Sequence, residues 1–364
     1  MTFDWSKALL AAAVAGFAGC AVGMLIDPRT MLASYLVTWF AVSAIPIGAL
    51  AVLFTSWLVR GGWTRDLREP LTAAALTIPA IAVLFLPVIL GLNEIYPWAS
   101  DATGLPAFKA VYLTPWFFTL RALIYFVVWT ALALWAVRAA GDDAAMTRAA
   151  SAGLIVWALT SSWAGIDWLE SIEPHFHSSI YGLFAIDFDL LAGLGFGIVA
   201  LLTLKRTRQM ANTAYSGTLL AVLLLWAYMH AMQYIIIWTG NIPEEVIWYL
   251  RRLDGGWGVA LWSLYILQFV VPFFVLLSER MRASSGTLLY LAVATLVLRW
   301  LEAAIFILPP LDVSGLALLL DLPAAMLLIG ACCLLAWQFT TVLMQRRSGH
   351  TAPRHQHQDT HKPA

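Results

Sequence analysis

The chain has 364 residues, of which 61% are hydrophobic and only 12% charged, with a mean hydropathy of +0.80. Soluble domains run at roughly 45–50% apolar and about 25% charged, so an ordinary soluble protein is excluded. Lys plus Arg and Asp plus Glu number 21 each, which leaves no excess basic surface for nucleic acid. Cys20, Cys332 and Cys333 all lie in apolar runs, against both a disulfide framework and a CxxC metal or redox motif.

A bilayer core takes about 20 apolar residues as helix. Ten segments meet that length in chain order: Ala8–Ile26, Leu32–Trp57, Leu71–Leu92, Trp116–Val137 and Ala149–Trp168, then Ile180–Leu204, Thr218–Trp238, Trp257–Leu277, Thr287–Leu308 and Leu316–Leu343. The expected fold is all-α: a polytopic membrane domain over residues 1–345 and a polar, His-rich tail over 346–364, read as a disordered cytoplasmic extension or a weak metal binder. Alternating strand patterning is missing, which excludes a barrel. Phe17-Ala18-Gly19-Cys20 faintly matches a lipoprotein cleavage box, but Asp4 spoils the basic flank, and small residues packing in a retained first helix explain it better.

Orientation follows from the basic residues in the connections. Fifteen lie on one side: Lys7, Arg60, Arg65, Arg68, Arg138, Arg148, Lys205, Arg206, Arg208, Arg280, Arg282, Arg346, Arg347, Arg354 and Lys362. Four lie on the other: Arg29, Lys109, Arg251 and Arg252. Both termini are therefore expected in the cytoplasm. The connections Gly91–Pro115, Asp167–Ser179 and Thr239–Gly256 are expected to face outward.

Ionisable residues at membrane depth are costly and mark bundle interiors, ion paths or substrate sites. Arg121, Asp187, Asp189, His230, Arg299, Glu302 and Asp321 all fall in the outer halves of their helices, which points to a shared cavity open outward. Arg299 and Glu302, three apart, share a helix face and are expected to form a structural ion pair. Asp187 and Asp189 are two apart and point to nearly opposite sides.

The densest polar stretch runs from Gly165 to Ser179 and holds Asp167, Glu170, Glu173, His175 and His177 without one Lys or Arg. Carboxylates beside imidazole suit proton uptake and release. A solvated capping loop, with Pro174 ending the preceding turn, accounts for the spacing equally well. His175-x-His177 has no clear third metal ligand. The depths of His175, His177 and His230 are unequal, against two axial ligands on one haem. No phosphate loop, nucleophile elbow or HExxH occurs.

At this stretch the sequence resembles a known family. Ser162-Trp163-Ala164-Gly165-Ile166-Asp167-Trp168, Ser171-Ile172-Glu173-Pro174-His175 and Ser178-Ser179-Ile180-Tyr181-Gly182 are similar to the pattern S-x-D-W-x-x-S-L-E-P-H-W-x-S-T-x-(Y/F)-G of the ActF family. ActF is a membrane subunit of alternative complex III, the bacterial quinol:cytochrome c oxidoreductase. Two further stretches agree. Lys109-Ala110-Val111-Tyr112-Leu113 with Phe117-Phe118, Arg121, Tyr125-Phe126 and Trp129 is one; Gln233 through Glu245, continued by Phe269-Val270-Val271-Pro272-Phe273, is the other. Phe176, His177 and Thr114 depart from the family pattern.

The resemblance implies an NrfD/PsrC-like subunit of two four-helix bundles flanked by single helices, in the bacterial inner membrane with both termini cytoplasmic. It implies no tightly bound cofactor, with quinol or quinone as substrate. Its partners would be an NrfD-like paralogue and iron–sulfur and haem c subunits on the outer face. A quinol-type pocket or proton path is expected from Arg121, Asp167, Glu170, Glu173, His175, Asp187 and His230. Within that set, Asp167, Glu170, His175 and Asp187 are expected to form one proton chain with Arg121 as counter-charge. A secondary transporter or a purely structural scaffold are the rival readings.

Overall fold

The computed structural model describes residues 5–59, 62–204, 212–313 and 317–349, and among them every regular element is helical. Of the tail expected as disordered over 346–364, residues 346–349 instead continue the last helix, and 350–364 lie outside the described residues. Nine helices there are long and apolar enough to cross a membrane. In chain order the elements used below are α1 (Trp5–Ile26), α2 (Pro28–Leu58), α3 (Thr64–Leu90), α4 (Pro115–Ala139), α5 (Asp143–Trp168) and α6 (Tyr181–Thr203), followed by α7 (Asn212–Gly240), α8 (Pro243–Leu253), α9 (Gly255–Leu277), α10 (Ser285–Ile307) and α11 (Ala317–Gly349). Helix α8 is the short amphipathic one. The tenth expected span falls in α11, whose described apolar stretch is Leu319–Leu334. The protein is an all-α, multi-pass membrane protein.

Helices α2–α5 form one bundle, and α6, α7, α9 and α10 a second. Helix α2 is buried on every side because it touches α3 and α5 in its own bundle and α6 and α10 in the other. The two single helices, α1 and α11, pair with each other and lean on α2. Phe17–Cys20 sit in mid-helix in α1. In lipid no hydrophobic force drives helices together, so close packing must. Gly48 on α2 and Gly193 on α6 supply it: a Cβ on either would overlap backbone atoms of the other helix.

Helix starts follow local chemistry. The Asp27 carboxylate accepts from Thr30 N at 3.1 Å and from the Thr30 hydroxyl at 2.6 Å, and Pro28 follows at the first helical position. Burial of the Asp27 carboxyl is negligible, and these hydrogen bonds hold its pKa below the usual value. Asp142 caps α5 in the same way.

Helix α3 is broken into short pieces around Pro79 and Pro87, where the i→i−4 ladder cannot run. The carbonyls freed there are bonded from α2: the Trp39 indole donates to Ile81 O at 3.1 Å and the Tyr35 hydroxyl to Leu84 O at 2.6 Å. An irregular helix is tolerated at membrane depth because a neighbour re-satisfies it.

Candidate functional site

The first polar cluster sits where α4 meets the end of α5. Arg121 donates to both Asp167 oxygens, from Nε at 2.7 Å and from a terminal nitrogen at 2.9 Å. The Tyr125 hydroxyl, one turn beyond Arg121, adds a third bond to Asp167 at 2.7 Å. Arg121 also donates to Tyr112 O at 2.8 Å and lies 3.7 Å from the Tyr112 ring centroid. Asp167 is 1% exposed and Arg121 7%. A buried pair is kept only when its lone pairs and protons are all used, and here both partners are well supplied. Beside it Trp168 is enclosed by Trp39, Phe85, Phe126 and Trp129, and its carbonyl accepts from the Tyr96 hydroxyl at 3.0 Å.

The polar stretch after α5 is pinned from two directions. Lys109 Nζ donates to Pro174 O at 2.6 Å and Phe176 O at 3.3 Å. Burial lowers the Lys109 pKa, while the nearby Glu170 carboxylate works against that shift. Glu173 binds Arg252 at 2.9 Å and the half-exposed Arg251 at 3.1 Å. Arg252 is fully buried and also donates to Trp248 O, Ile305 O and Phe306 O, which ties α8 to the end of α10. Glu170, Lys109, Tyr112, Trp163 and His177 line a cavity of about 580 Å³. His175 is exposed, outside both this cavity and the ion pairs. The His177 pKa is lowered, by burial first and then by the Lys109 charge.

The second bundle holds a different cluster. His230 Nε2 lies 2.9 Å from Glu302 Oε1, the Trp226 indole donates to that same oxygen at 2.9 Å, and Arg299 pairs with Glu302 Oε2. Asp187, on α6, is 1% exposed beside Arg299, and neither of its oxygens is hydrogen-bonded within the protein. Rings of Phe184, Trp226, Tyr265 and Phe306 surround the imidazole, the nearest with its centroid at 4.2 Å. Because a carboxylate can only accept, Nε2 carries the proton toward Glu302, and Nδ1 is left as the acceptor of the ring.

His230 opens on a cavity of about 390 Å³ between α7, α8 and α9, lined by Trp226, Tyr234, Tyr249, Trp262, Tyr265 and Phe269 among others. Its walls are aromatic and its polar groups few, as in cavities that hold flat organic ligands. One wall is the turn Ile266–Val270, where α9 takes one wider π-type turn just before Pro272. Such single turns recur at functional sites.

The structure redistributes the expected site. Asp167, Glu170, His175 and Asp187 do not form one chain: Asp167 belongs to Arg121 and Tyr125, Glu170 to the Lys109 cavity, and Asp187 to Arg299 in the other bundle, while His175 is exposed. Helices α5 and α6 pack closely, Gly165 against Ala185 and Gly182 against Ser162, but Asp167 turns to Arg121 on α4 and Asp187 to Arg299 on α10, so neighbouring helices do not bring these two side chains together. The single shared cavity does not form: of the seven membrane-depth residues only His230 lines the aromatic cavity, and none lines the one beside Lys109. Arg299 and Glu302 do pair, but the pair extends to His230 and a cavity wall. Asp187 and Asp189 do face apart, Asp189 accepting a hydrogen bond from Ser161 on α5.

Sequence reasoning passed over Tyr125, Arg252 and Tyr249. Tyr125 was findable, because it lies one helical turn from Arg121. The other two carry little local signal: beyond Trp248 in the same helix, the acceptors of Arg252 lie more than fifty residues away, and Tyr249 stands in a cavity wall. Among the described residues no three of His, Cys, Asp and Glu converge as a metal would require. No family model matches the chain, and no curated protein matches it.

Proposed function

We propose that the chain is an ActF-type membrane subunit of a quinol:cytochrome c oxidoreductase of the alternative complex III kind, and that its quinol-type pocket is the aromatic cavity of the second bundle. The observation that carries this reading is the join between that cavity and a buried charged chain. His230 lines a largely aromatic chamber and is backed by Glu302, Arg299 and Asp187. An apolar ring is accommodated by the walls. A quinol hydroxyl is accepted by His230 Nδ1, and the imidazolium so formed is stabilised by Glu302. Arg299 and Asp187 set the local charge balance, while electrons leave to redox centres of partner subunits.

On this reading the chain resides in the bacterial inner membrane with both termini cytoplasmic, and the loops around Lys109, Glu173 and Arg252 meet the partner subunits at the outer face. The scaffold reading draws on the Arg121–Asp167 pair, whose bonds are complete without any ligand. It leaves the His230 cavity without a purpose.

A photoreactive azido-quinone with a ten-carbon tail tests the pocket in the full chain reconstituted in lipid nanodiscs. Labelled peptides are expected from α7, α8 and α9, suppressed by excess unlabelled quinone. Labelling spread evenly over all lipid-facing helices and insensitive to competitor refutes the pocket.

A further inference from the structure

The cavity beside Lys109 has a charge pattern that the proposed quinol pocket does not use. Lys109 and Glu170 both line it, and among the described residues neither forms an ion pair, with the other or with any third group. Each is nonetheless held in place. Lys109 Nζ gives two of its three N–H groups to Pro174 O and Phe176 O, which leaves one for the cavity. Ser178 N donates to Glu170 Oε1 at 3.3 Å, and among the described residues Oε2 takes no bond. Opposite charges kept apart across one chamber suit a ligand that is itself dipolar, with a cation for Glu170 and an anion for Lys109. A simple anion would be repelled by the carboxylate, and a simple cation by the ammonium.

The rest of the lining points to lipid. Glu170 stands at the end of the span Asp143–Ile172, so the two charges lie at the level of the membrane surface. Deeper in, the wall is apolar: Ile166 and Trp163 on α5 line the same cavity, four and seven residues before Glu170, and Trp163 is about 10 Å further into the membrane. Trp163, Leu159 and Ile155 follow one another a turn apart, each more than half exposed. That stripe carries the cavity wall on into the lipid-facing side of α5. Phe108, on the short helix Ala107–Tyr112, is exposed at the rim, and Tyr112 and Trp163 complete an aromatic border of the kind found at membrane surfaces.

We infer that this cavity seats the headgroup of a phospholipid bearing a primary amine, a phosphatidylethanolamine, with its ammonium donating to Glu170 and its phosphate accepting from Lys109. One acyl chain then lies along Trp163, Leu159 and Ile155. A primary ammonium offers the carboxylate N–H donors, whereas a trimethylammonium has none and a phosphoglycerol headgroup carries no cation. Glu170 therefore sets the headgroup choice, and Lys109 serves the phosphate common to all three. The cavity of the second bundle takes no part, so this inference stands apart from the quinol assignment.

The test is native mass spectrometry of the full chain in detergent at pH 8, titrated with phosphatidylethanolamine, phosphatidylcholine and phosphatidylglycerol of identical acyl chains. The first equivalent of phosphatidylethanolamine is expected to bind roughly tenfold more tightly than either of the others, the usual worth of a hydrogen bond to a charged group. In Glu170→Gln, whose amide oxygen can still accept from Ser178 N, that preference is expected to vanish. Phosphatidylglycerol is expected to bind more tightly to this variant than to the wild type, because the repelling carboxylate is gone. Soluble phosphoethanolamine at the lipid's concentration is expected not to displace it, since it has no chain for the α5 stripe. Equal binding of the three lipids by the wild type, an undiminished preference in Glu170→Gln, or displacement by soluble phosphoethanolamine overturns the inference.

Discussion

Replacing Asp167 with Asn is the sharpest perturbation of the first bundle. Asp167 takes two bonds from Arg121 and one from Tyr125. With Asn in place, one neutral amide oxygen is left for Arg121 and Tyr125 to share, and the guanidinium otherwise keeps Tyr112 O and the faces of Tyr112 and Phe117, in a position 7% exposed. Removing one partner of a buried pair costs roughly 3–5 kcal/mol because the other charge is stranded. The retained carbonyl and ring contacts put this case at the lower end, about 3 kcal/mol, or roughly 150-fold in the folded-to-unfolded ratio. Removing both charges, as in Arg121→Met with Asp167→Asn, strands nothing, and the Asn oxygen still accepts from Tyr125. The double variant is expected to recover at least half of the single variant's loss. SDS titration in mixed micelles, read by tryptophan fluorescence, supplies the four stabilities of the cycle. Wild-type stability in Asp167→Asn, or a double variant less stable than both singles, refutes the assignment of this pair to structure.

Further expectations follow from other parts of the protein. Gly48→Leu is expected to abolish monodisperse protein on size exclusion because the side chain meets α6 backbone, whereas Gly217→Leu, at a position with open space around it, is expected to elute like the wild type. Arg252→Met leaves Ile305 O and Phe306 O without this donor and Glu173 with only the half-exposed Arg251, and is expected to cost about 3 kcal/mol in the same titration. Arg251→Met, at a half-exposed pair, is expected to cost less than about 1 kcal/mol. The His177 pKa is lowered in the folded state, so the unfolded chain binds the extra proton more readily. Its contribution is therefore whole above its ordinary value of 6.5 and is lost as the pH falls from there towards the folded pKa. A pH series from 8 to 5 is expected to show a slope that His177→Gln flattens, and an identical slope in the variant would count against it.

Composition and run length alone determined the membrane class, the all-helical architecture and the approximate span positions, because a bilayer imposes both length and backbone satisfaction on any segment that crosses it. The cap at Asp27 and the breaks at Pro79 and Pro87 depend on a few consecutive residues each, and the single span expected over Leu71–Leu92 is divided by those prolines in the structure. Depth also revealed which polar residues would be buried: Arg121, Asp187, His230, Arg299 and Glu302 are all enclosed. What depth leaves open is direction around each helix and which helices are neighbours. The proximity of Asp167, Glu170 and His175 in sequence implied a common path, yet the ending of α5 and the two pins at Lys109 and Arg252 send them to separate surroundings. Only the packing of α6, α7, α9 and α10 brings Asp187, His230, Arg299 and Glu302 together, and only the return of α8 over that bundle sets Tyr249 in the cavity wall. Those contacts join residues tens of positions apart, and their energy depends on helix rotation and crossing, which no local pattern of residues encodes.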